Sequence, residues 1–341
     1  MRLEERAIGD AAGTILMHNL ADEAGTRVLK KGIRLAQEHL AELAAMGRTH
    51  VQVAVLEEDD IHEDEAAQVL ATTLRTDEMH LSRPTGGRIN LRAVVDGLLE
   101  VDARRLLHLN MVPGIALATR RQWTVVGPGQ ETDNLATLKI VPYALPRVDL
   151  QLAVDLALVR PGILEVRPFR QQRAALLLVG DEMVRPRLCQ DYEGPTRARL
   201  ERLKTELVTV EGVKQEEQAI ADAVSRLAAQ AELLIVAGQT SVMDEEDTTL
   251  RGLRRAGAET TAVGAPVEPG NLMALAYLPR PDGQQVVPIL CAPGCAKGMK
   301  RNVVDLILPR LVLGDHLGGD DIAALGLGGF LTAAERGGDV T

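Results

Sequence analysis

The chain has few aromatic residues. Phe, Tyr and Trp make up 2% of its 341 positions, and Trp123 is the sole tryptophan. Proteins that grip single-stranded nucleic acid stack bases on such rings, so that class of partner is not expected. A long lysine- or arginine-rich run is also missing, and the formal net charge is −10. An acidic chain without a segregated basic patch repels a phosphate backbone, which disfavours duplex nucleic acid as well. Cysteine is sparse: Cys189, Cys291 and Cys295. An odd set of three builds no disulfide framework. The C-A-P-G-C spacing of the last two, without a second pair, does not suit zinc. No stretch approaches the run of about 18 uncharged apolar residues that spans a bilayer. The opening Met1-Arg2-Leu3-Glu4-Glu5-Arg6 lacks the apolar core of a secretory signal. The expectation is a cytoplasmic protein with neither nucleic acid nor membrane as partner.

What is present is ample apolar material, 46% of the residues and mostly Ala, Val and Leu, enough for a sizeable core. A chain of this length exceeds one average domain. The pattern divides it into a small α+β module over 1–80, a second α+β module and connector over 81–170, an α/β domain over 171–315 and a tail over 316–341. In the first, residues 26–32 read as a short hairpin, 35–46 as a helix closed by Gly47 and 51–55 as a strand. The acidic run 57–65 reads as a solvated charge run leading into a helix over 65–74, with a metal site around His62 as the alternative. The second module has an extended segment at 88–91, a helix over 101–107 and strands over 115–119 and 138–141. Over 148–158, Val148, Leu150, Leu152, Val154, Leu156 and Leu158 occupy every second position, which predicts a half-exposed strand.

From residue 173 the pattern changes. Strands are expected over 174–179, 207–210, 233–237, 260–263, 272–278 and 286–292. Helices are expected over 196–206, 216–231 and 248–256, and from 300 until Pro309 ends or kinks the last. Pro281-Asp282-Gly283 signals a hairpin turn. Alternating strands and helices imply right-handed crossovers and a three-layer α/β/α domain on a mostly parallel sheet.

Ligands of open α/β sheets sit beyond the carboxyl ends of the strands, and three loops leave such ends. Gly180-Asp181-Glu182-Met183 leads to its helix by a longer path. The loop from Gly238 offers Gln239, Thr240 and Ser241 as donors for an oxyanion, and Asp244 and Asp247 as carboxylates suited to Mg2+. Equally, these residues suit the cap of the following helix. Pro293-Gly294-Cys295-Ala296-Lys297-Gly298 precedes a helix with Lys297, Lys300 and Arg301 near its start. Cations there oppose the helix dipole and point to an anionic partner; a solvated basic face is the alternative. The nucleotide motifs G-x-x-x-x-G-K-[ST] and G-x-G-x-x-G are absent, and no histidine sits in a recognisable nucleophile context.

Four of these segments resemble the motifs of the molybdopterin-binding domain of molybdenum-cofactor biosynthesis proteins, among them the molybdopterin molybdotransferases. Gly180-Asp181-Glu182-Met183 is similar to the family's G-D-E-L turn. Gly238-Gln239-Thr240-Ser241-Val242-Met243, with Asp247 following, resembles G-G-V-S-V-G and its acidic residue. Pro269-Gly270-Asn271-Leu272 stands for P-G-K-P, and Ala292-Pro293-Gly294-Cys295-Ala296 for L-P-G-N-P. Gln239, Asn271 and Cys295 depart from the family letters, and no D-T-N element follows the first strand. The N-terminal half looks like that of a divergent bacterial group, on Ile61-His62-Glu63-Asp64-Glu65, Gly87-Arg88-Ile89-Asn90 and Thr137-Leu138-Lys139-Ile140-Val141-Pro142. In some of that group a nucleotidyltransferase domain follows, and this chain stops before one.

The resemblance implies a molybdopterin or molybdenum-cofactor ligand held by the four segments. It implies Mg2+ or molybdate at Asp247 and Asp244, and the pterin phosphate near Pro293, Lys297, Lys300 and Arg301. It also implies a homodimer, and a molybdoenzyme or a nucleotidyltransferase as a further partner. Three activities stay open: a molybdotransferase-like transferase, a non-catalytic cofactor carrier, and a phosphohydrolase or amidase on the same fold.

Overall fold

Leu40 and Leu43 lie on one face of a helix and Val51 and Val53 on one face of a strand, and together they start the first core. The computed structural model describes residues 1–22, 24–129, 134–280 and 285–333. The chain divides into two units, Met1–Pro168 and Phe169–Thr341.

The first unit runs β1 (Arg2–Ala7), β2 (Ile15–Leu16), β3 (Leu20–Ala21), β4 (Arg27–Leu29), α1 (Gln37–Ala45), β5 (His50–Val55), β6 (Asp60–His62), α2 (Glu63–Leu74), β7 (Met79–Leu81), β8 (Arg88–Ala93), β9 (Gly97–Val101), α3 (Ala103–Asn110), β10 (Ile115–Thr119), β11 (Val125–Val126), β12 (Ala136–Ile140), β13 (Ala144–Pro146), α4 (Arg147–Leu158) and β14 (Leu164–Pro168). β5 pairs antiparallel with β1 and β2. The hairpin expected over 26–32 sits earlier, as β3 paired with β4, its turn held by the Asp22 carboxylate accepting the Thr26 amide at 2.8 Å. A second core lies under α2, α3 and α4 and the sheets β10-β12-β8-β7 and β11-β9-β14.

Two expectations fail in this unit. Residues 148–158 form the helix α4, not a strand. Leu150, Ala153 and Ala157 bury a face at helical spacing, and the apparent alternation arises because the opposite face is apolar too. The acidic run is also not wholly solvated: Glu63, in the first turn of α2, is 3% exposed. Its carboxylate is packed by the backbones of Gly32 and Gly87, both at positive φ, and lies 3.5 Å from Lys139 Nζ. Burial raises the Glu63 pKa, with the Lys139 charge opposing. The three stretches resembling the bacterial group, around Glu63, Gly87 and Lys139, thus meet at one point.

The second unit runs β15 (Gln172–Val179), α5 (Arg185–Glu201), β16 (Thr205–Val213), α6 (Glu217–Ala228), β17 (Leu233–Gly238), α7 (Thr248–Arg255), β18 (Glu259–Val263), β19 (Ala274–Pro279), β20 (Val286–Cys291), α8 (Val303–Val312) and α9 (Gly319–Ala324). Its six-stranded sheet has the order β16-β15-β17-β20-β19-β18. β16, β15, β17 and β20 are parallel; β19 runs antiparallel to β20 and to β18. Ala175, Leu177, Val179, Leu234 and Val236 face α6 and α7. α5 and α8 are linked by Arg199 and Asp305 at 2.9 Å. The domain is the expected α/β/α sandwich. Ala174 to Val179 of β15 are all buried, as a strand covered on both faces requires. Each leucine so buried stabilises the fold by roughly 1.5–3 kcal/mol.

Helix boundaries differ from the expectation. The helix expected over 196–206 begins at Arg185 and ends at Glu201. Pro186 suits a first turn, where its missing amide costs nothing. Leu188, Tyr192, Thr196 and Arg199 keep one buried face through Pro195. Thr205 and Glu206 already belong to β16. The helix expected from 300 starts at Val303 and passes through Pro309 to Val312, because Leu308, Leu311 and Val312 still bury against the core. It is not the last, since α9 follows. The turn at Pro281-Asp282-Gly283 lies outside the described residues.

Candidate functional site

Topology brings the candidate segments to one end of the sheet. β15, β17 and β20 point their carboxyl ends the same way. Ala274, the first residue of antiparallel β19, pairs with Cys291, the last of β20. The segment carrying Pro269, Gly270 and Asn271 therefore enters at the end where the loops after Val179, Gly238 and Cys291 leave. β15 lies between β16 and β17, so the chain leaves it on one side and returns on the other. That crevice is where open sheets bind ligands.

The first loop, Gly180 to Val184, enters α5 directly rather than by a longer path: the Asp181 carbonyl accepts the Val184 and Arg185 amides at 2.9 and 3.1 Å. Asp181 and Glu182 are exposed. The second loop clasps the first. Gln239 Oε1 accepts the Asp181 amide at 3.0 Å, and the Gln239 amide donates to the Val179 carbonyl at 3.0 Å. Gly238 is needed here, because a Cβ would lie 2.6 Å from the Thr240 carbonyl oxygen. Thr240 is exposed, and its Oγ1 lies 3.5 Å from Gln215 Nε2. Ser241 Oγ would lie 3.6 Å from a Cβ built on Gly294, so the second and third loops face each other.

Asp247 is the N-cap of α7. Its Oδ1 accepts the Thr249 amide at 2.8 Å, and Asp244 Oδ1 accepts the Glu246 amide at 2.8 Å. Each carboxylate spends one oxygen on the backbone and keeps a second. The charge of Asp247 also reaches Cys291, whose thiol is pushed up to about 12, chiefly by burial. Among the described residues, no group of three or more His, Cys, Asp or Glu is placed to hold a metal ion.

The third loop is a 3-10 turn, Gly294–Lys297, followed by an extended stretch to Asn302, the N-cap of α8. Lys297, Lys300 and Arg301 thus precede α8 instead of starting it. The first amides of α8 are engaged: Val303 N with Pro269 O at 3.2 Å, Val304 N with Asn302 Oδ1 at 3.0 Å and Asp305 N with Asn302 O at 3.0 Å. Lys297 has partners inside the chain, with Asp191 at 3.4 Å and the Tyr192 ring centroid at 5.3 Å. The Tyr192 phenol is pushed up to about 12 by burial. Lys300 is exposed and Arg301 half-buried. Gly270, at φ 129°, packs against Val303, and a Cβ there would overlap its side chain. Asn271 is exposed.

Sequence reading missed the residue that shapes this loop. Arg199 of α5 is 4% exposed. Its guanidinium donates to the carbonyls of Ala296 at 3.1 Å, Gly298 at 2.8 Å and Lys300 at 3.3 Å, and to Asp305 at 2.9 Å. Asp305 in turn accepts the Asn302 amide at 2.8 Å. The planar fork of arginine satisfies several carbonyls at once. The available signal was one arginine in line with Leu188, Tyr192 and Thr196.

Met183, Met243 and Leu272 are exposed on or beside these loops, with Phe330 exposed near the Pro269 segment. Phe330 is held there because Glu268, just before Pro269, bonds Gly329 O at 2.8 Å and Leu331 N at 3.0 Å. Cys295 is half-buried; burial raises its thiol pKa, and the Glu268 charge adds to that.

Residues 175–312 match the family described as a probable molybdopterin binding domain. Residues 6–55 match a domain of unknown function. Similar solved structures include a molybdenum cofactor biosynthesis protein from Pyrococcus furiosus, 12% identical, covering 95% of this chain and 65% of that one, with TM-score 0.25. Another is the molybdopterin biosynthesis moeA protein from Pyrococcus horikoshii OT3, 10% identical, covering 92% and 74%, with TM-score 0.28. A third is the tungsten cofactor synthesizing protein MoaB from Pyrococcus furiosus, 11% identical, covering 42% and 92%, with TM-score 0.27. The chain spans about two thirds of the first of these. No curated protein matches. Among the described residues, no helix is long and apolar enough to cross a membrane.

Proposed function

We propose that the domain over 175–312 binds molybdopterin or the finished molybdenum cofactor at the carboxyl ends of β15, β17 and β20, and that the chain serves the making or delivery of that cofactor. One observation carries the reading: the segment matching a molybdopterin binding domain is the one whose four loops share a single mouth. In this reading Gly180, Asp181, Glu182, Gly238, Gln239, Thr240 and Ser241 face the pterin and its dithiolene. Pro269, Gly270 and Asn271 close the far side. Gly294 and Cys295, with Lys300 and Arg301, receive the phosphate as backbone and charge-assisted donors. Lys297 joins them by exchanging its Asp191 partner for the ligand.

The free carboxylate oxygens of Asp247 and Asp244 suit a hard divalent ion that takes its remaining ligands from substrate and water. Such an ion would neutralise substrate oxygens; the two aspartates would orient it. Molybdate, where it is used, is a substrate at the same place.

Between an inserting enzyme and a carrier, Gln239 favours the carrier. It stands where the family has its second glycine, and its side chain reaches across to accept the Asp181 amide. A homodimer, and a molybdoenzyme or nucleotidyltransferase that receives the cofactor, complete the proposal. Titrating the apo-protein with molybdopterin, with and without Mg2+ and molybdate, tests it. Stoichiometric binding that needs neither addition supports a carrier. Binding coupled to loss of free molybdate supports the transferase, and no binding removes both.

A further inference from the structure

Aromatic rings are scarce in this chain: one Trp, three Tyr and two Phe. Phe169, Tyr192 and Tyr277 are buried, Trp123 and Tyr143 are half-buried, and Phe330 is 72% exposed. A phenyl ring gains from burial or from a flat partner, and Phe330 has neither inside its own chain. The backbone fixes where it stands. The Glu268 amide donates to Gly329 O at 2.8 Å, and the Leu331 amide donates to Glu268 O at 3.0 Å, which sets Phe330 directly opposite Glu268. Side chains alternate between the two faces of such a pair. Val267 and Leu331 turn inward, 2% and 4% exposed, so Glu268 and Phe330 share the outer face. That face lies within electrostatic reach of the third loop, since the Glu268 charge adds to the rise of the Cys295 thiol pKa. The segment then passes into Pro269, whose carbonyl accepts the Val303 amide at the start of α8. Gly329 admits no Cβ, because one would overlap the Pro266 carbonyl oxygen, and residue 330 is thereby held close against the Pro269 segment.

We infer that Phe330 is the stacking platform of the proposed site, its ring lying against the flat heteroaromatic ring of the bound pterin while the loops take the polar groups and the phosphate. The inference rests on the pterin reading above and adds the residue that recognises the ring itself. The four loop segments supply glycines, donors and carboxylates but no aromatic side chain. Recognition of a flat ring therefore falls to a residue from elsewhere in the chain, and Phe330 is the exposed aromatic that the fold ties to one of the four. Stacking a heteroaromatic ring on an aromatic side chain strengthens binding roughly ten- to a hundredfold.

Anaerobic calorimetric titration of the full chain with molybdopterin, alongside thermal melts, tests it. Phe330→Ala should weaken binding about ten- to a hundredfold with an unchanged melting temperature. Phe330→Leu, apolar but not flat, should bind nearly as poorly as the alanine variant. Phe330→Tyr and Phe330→Trp keep a ring and should bind like the wild type. If the wild type binds and Phe330→Ala binds equally well, the inference is overturned and the pterin reading stands. Full recovery in Phe330→Leu also overturns it, because residue 330 would then be an apolar contact and not a stacking one. A wild type that takes up no molybdopterin removes both the reading and the inference.

Discussion

Gln239 Oε1 accepts the main-chain amide of Asp181 at 3.0 Å, so the loop leaving β17 ties down the loop leaving β15. Gln239→Ala should cost about 0.5–1.5 kcal/mol, the net worth of one hydrogen bond. Its signature is local: hydrogen exchange at the Asp181 amide should speed up while the β15 amides stay protected. Uniform change across the domain would mean that Gln239 supports the fold and not the loop.

Asp247 combines a structural and a proposed chemical role, and two substitutions separate them. Asp247→Asn keeps an oxygen for the Thr249 amide and removes the charge; Asp247→Ala removes both. The alanine variant should lose about 1 kcal/mol of stability and the asparagine variant much less, since both Asp and Asn cap well. If Asp247 holds an ion or orients molybdate, both variants lose metal-dependent binding equally while pterin binding persists. Intact metal dependence in Asp247→Asn would leave Asp247 as a helix cap alone.

Arg199 is the buried hub of the third loop. Arg199→Met strands the Asp305 carboxylate and three carbonyls, and should cost about 3–5 kcal/mol in chemical denaturation. Removing both charges together, with Arg199→Met and Asp305→Leu, should recover part of that loss, because an uncompensated buried charge is the larger penalty. A double variant no more stable than the single would show that the carbonyl contacts, and not the ion pair, dominate.

Glu63 has its pKa raised by burial against the pull of Lys139. A carboxyl raised in the folded state binds its proton more tightly there than in the unfolded chain. The associated stability is present at low pH and is lost as pH rises from the ordinary glutamate range through the raised value. Glu63→Gln should therefore melt higher than the wild type near neutral pH, and the difference should vanish in acid. A variant less stable at neutral pH would mean that the Lys139 pair outweighs the desolvation.

Much of this was legible in the sequence, and each failure has its own physical cause. The buried runs of β15 and β17 and the glycine-marked loops stand out because a covered strand must be apolar throughout and a tight turn must lack a side chain. α4 was misread because its apolar residues fall on both faces, so a helix imitated a strand's period. Arg199 and Glu63 were missed because their meaning lies in contacts far along the chain, with Ala296 to Asp305 and with Gly32, Gly87 and Lys139. The start of α8 was misplaced because Asn302, its cap, carries less signal than the lysines before it.

The central claim is that this chain holds a pterin at the mouth formed by its four loops. The most direct measurement is to purify it from a cofactor-making host, release and oxidise any bound ligand, and read pterin fluorescence per chain. The claim predicts a pterin approaching one per chain, sharply reduced in the Lys300→Glu, Arg301→Glu variant at an unchanged melting temperature. Wild-type protein free of pterin that also fails to take up added molybdopterin would contradict it.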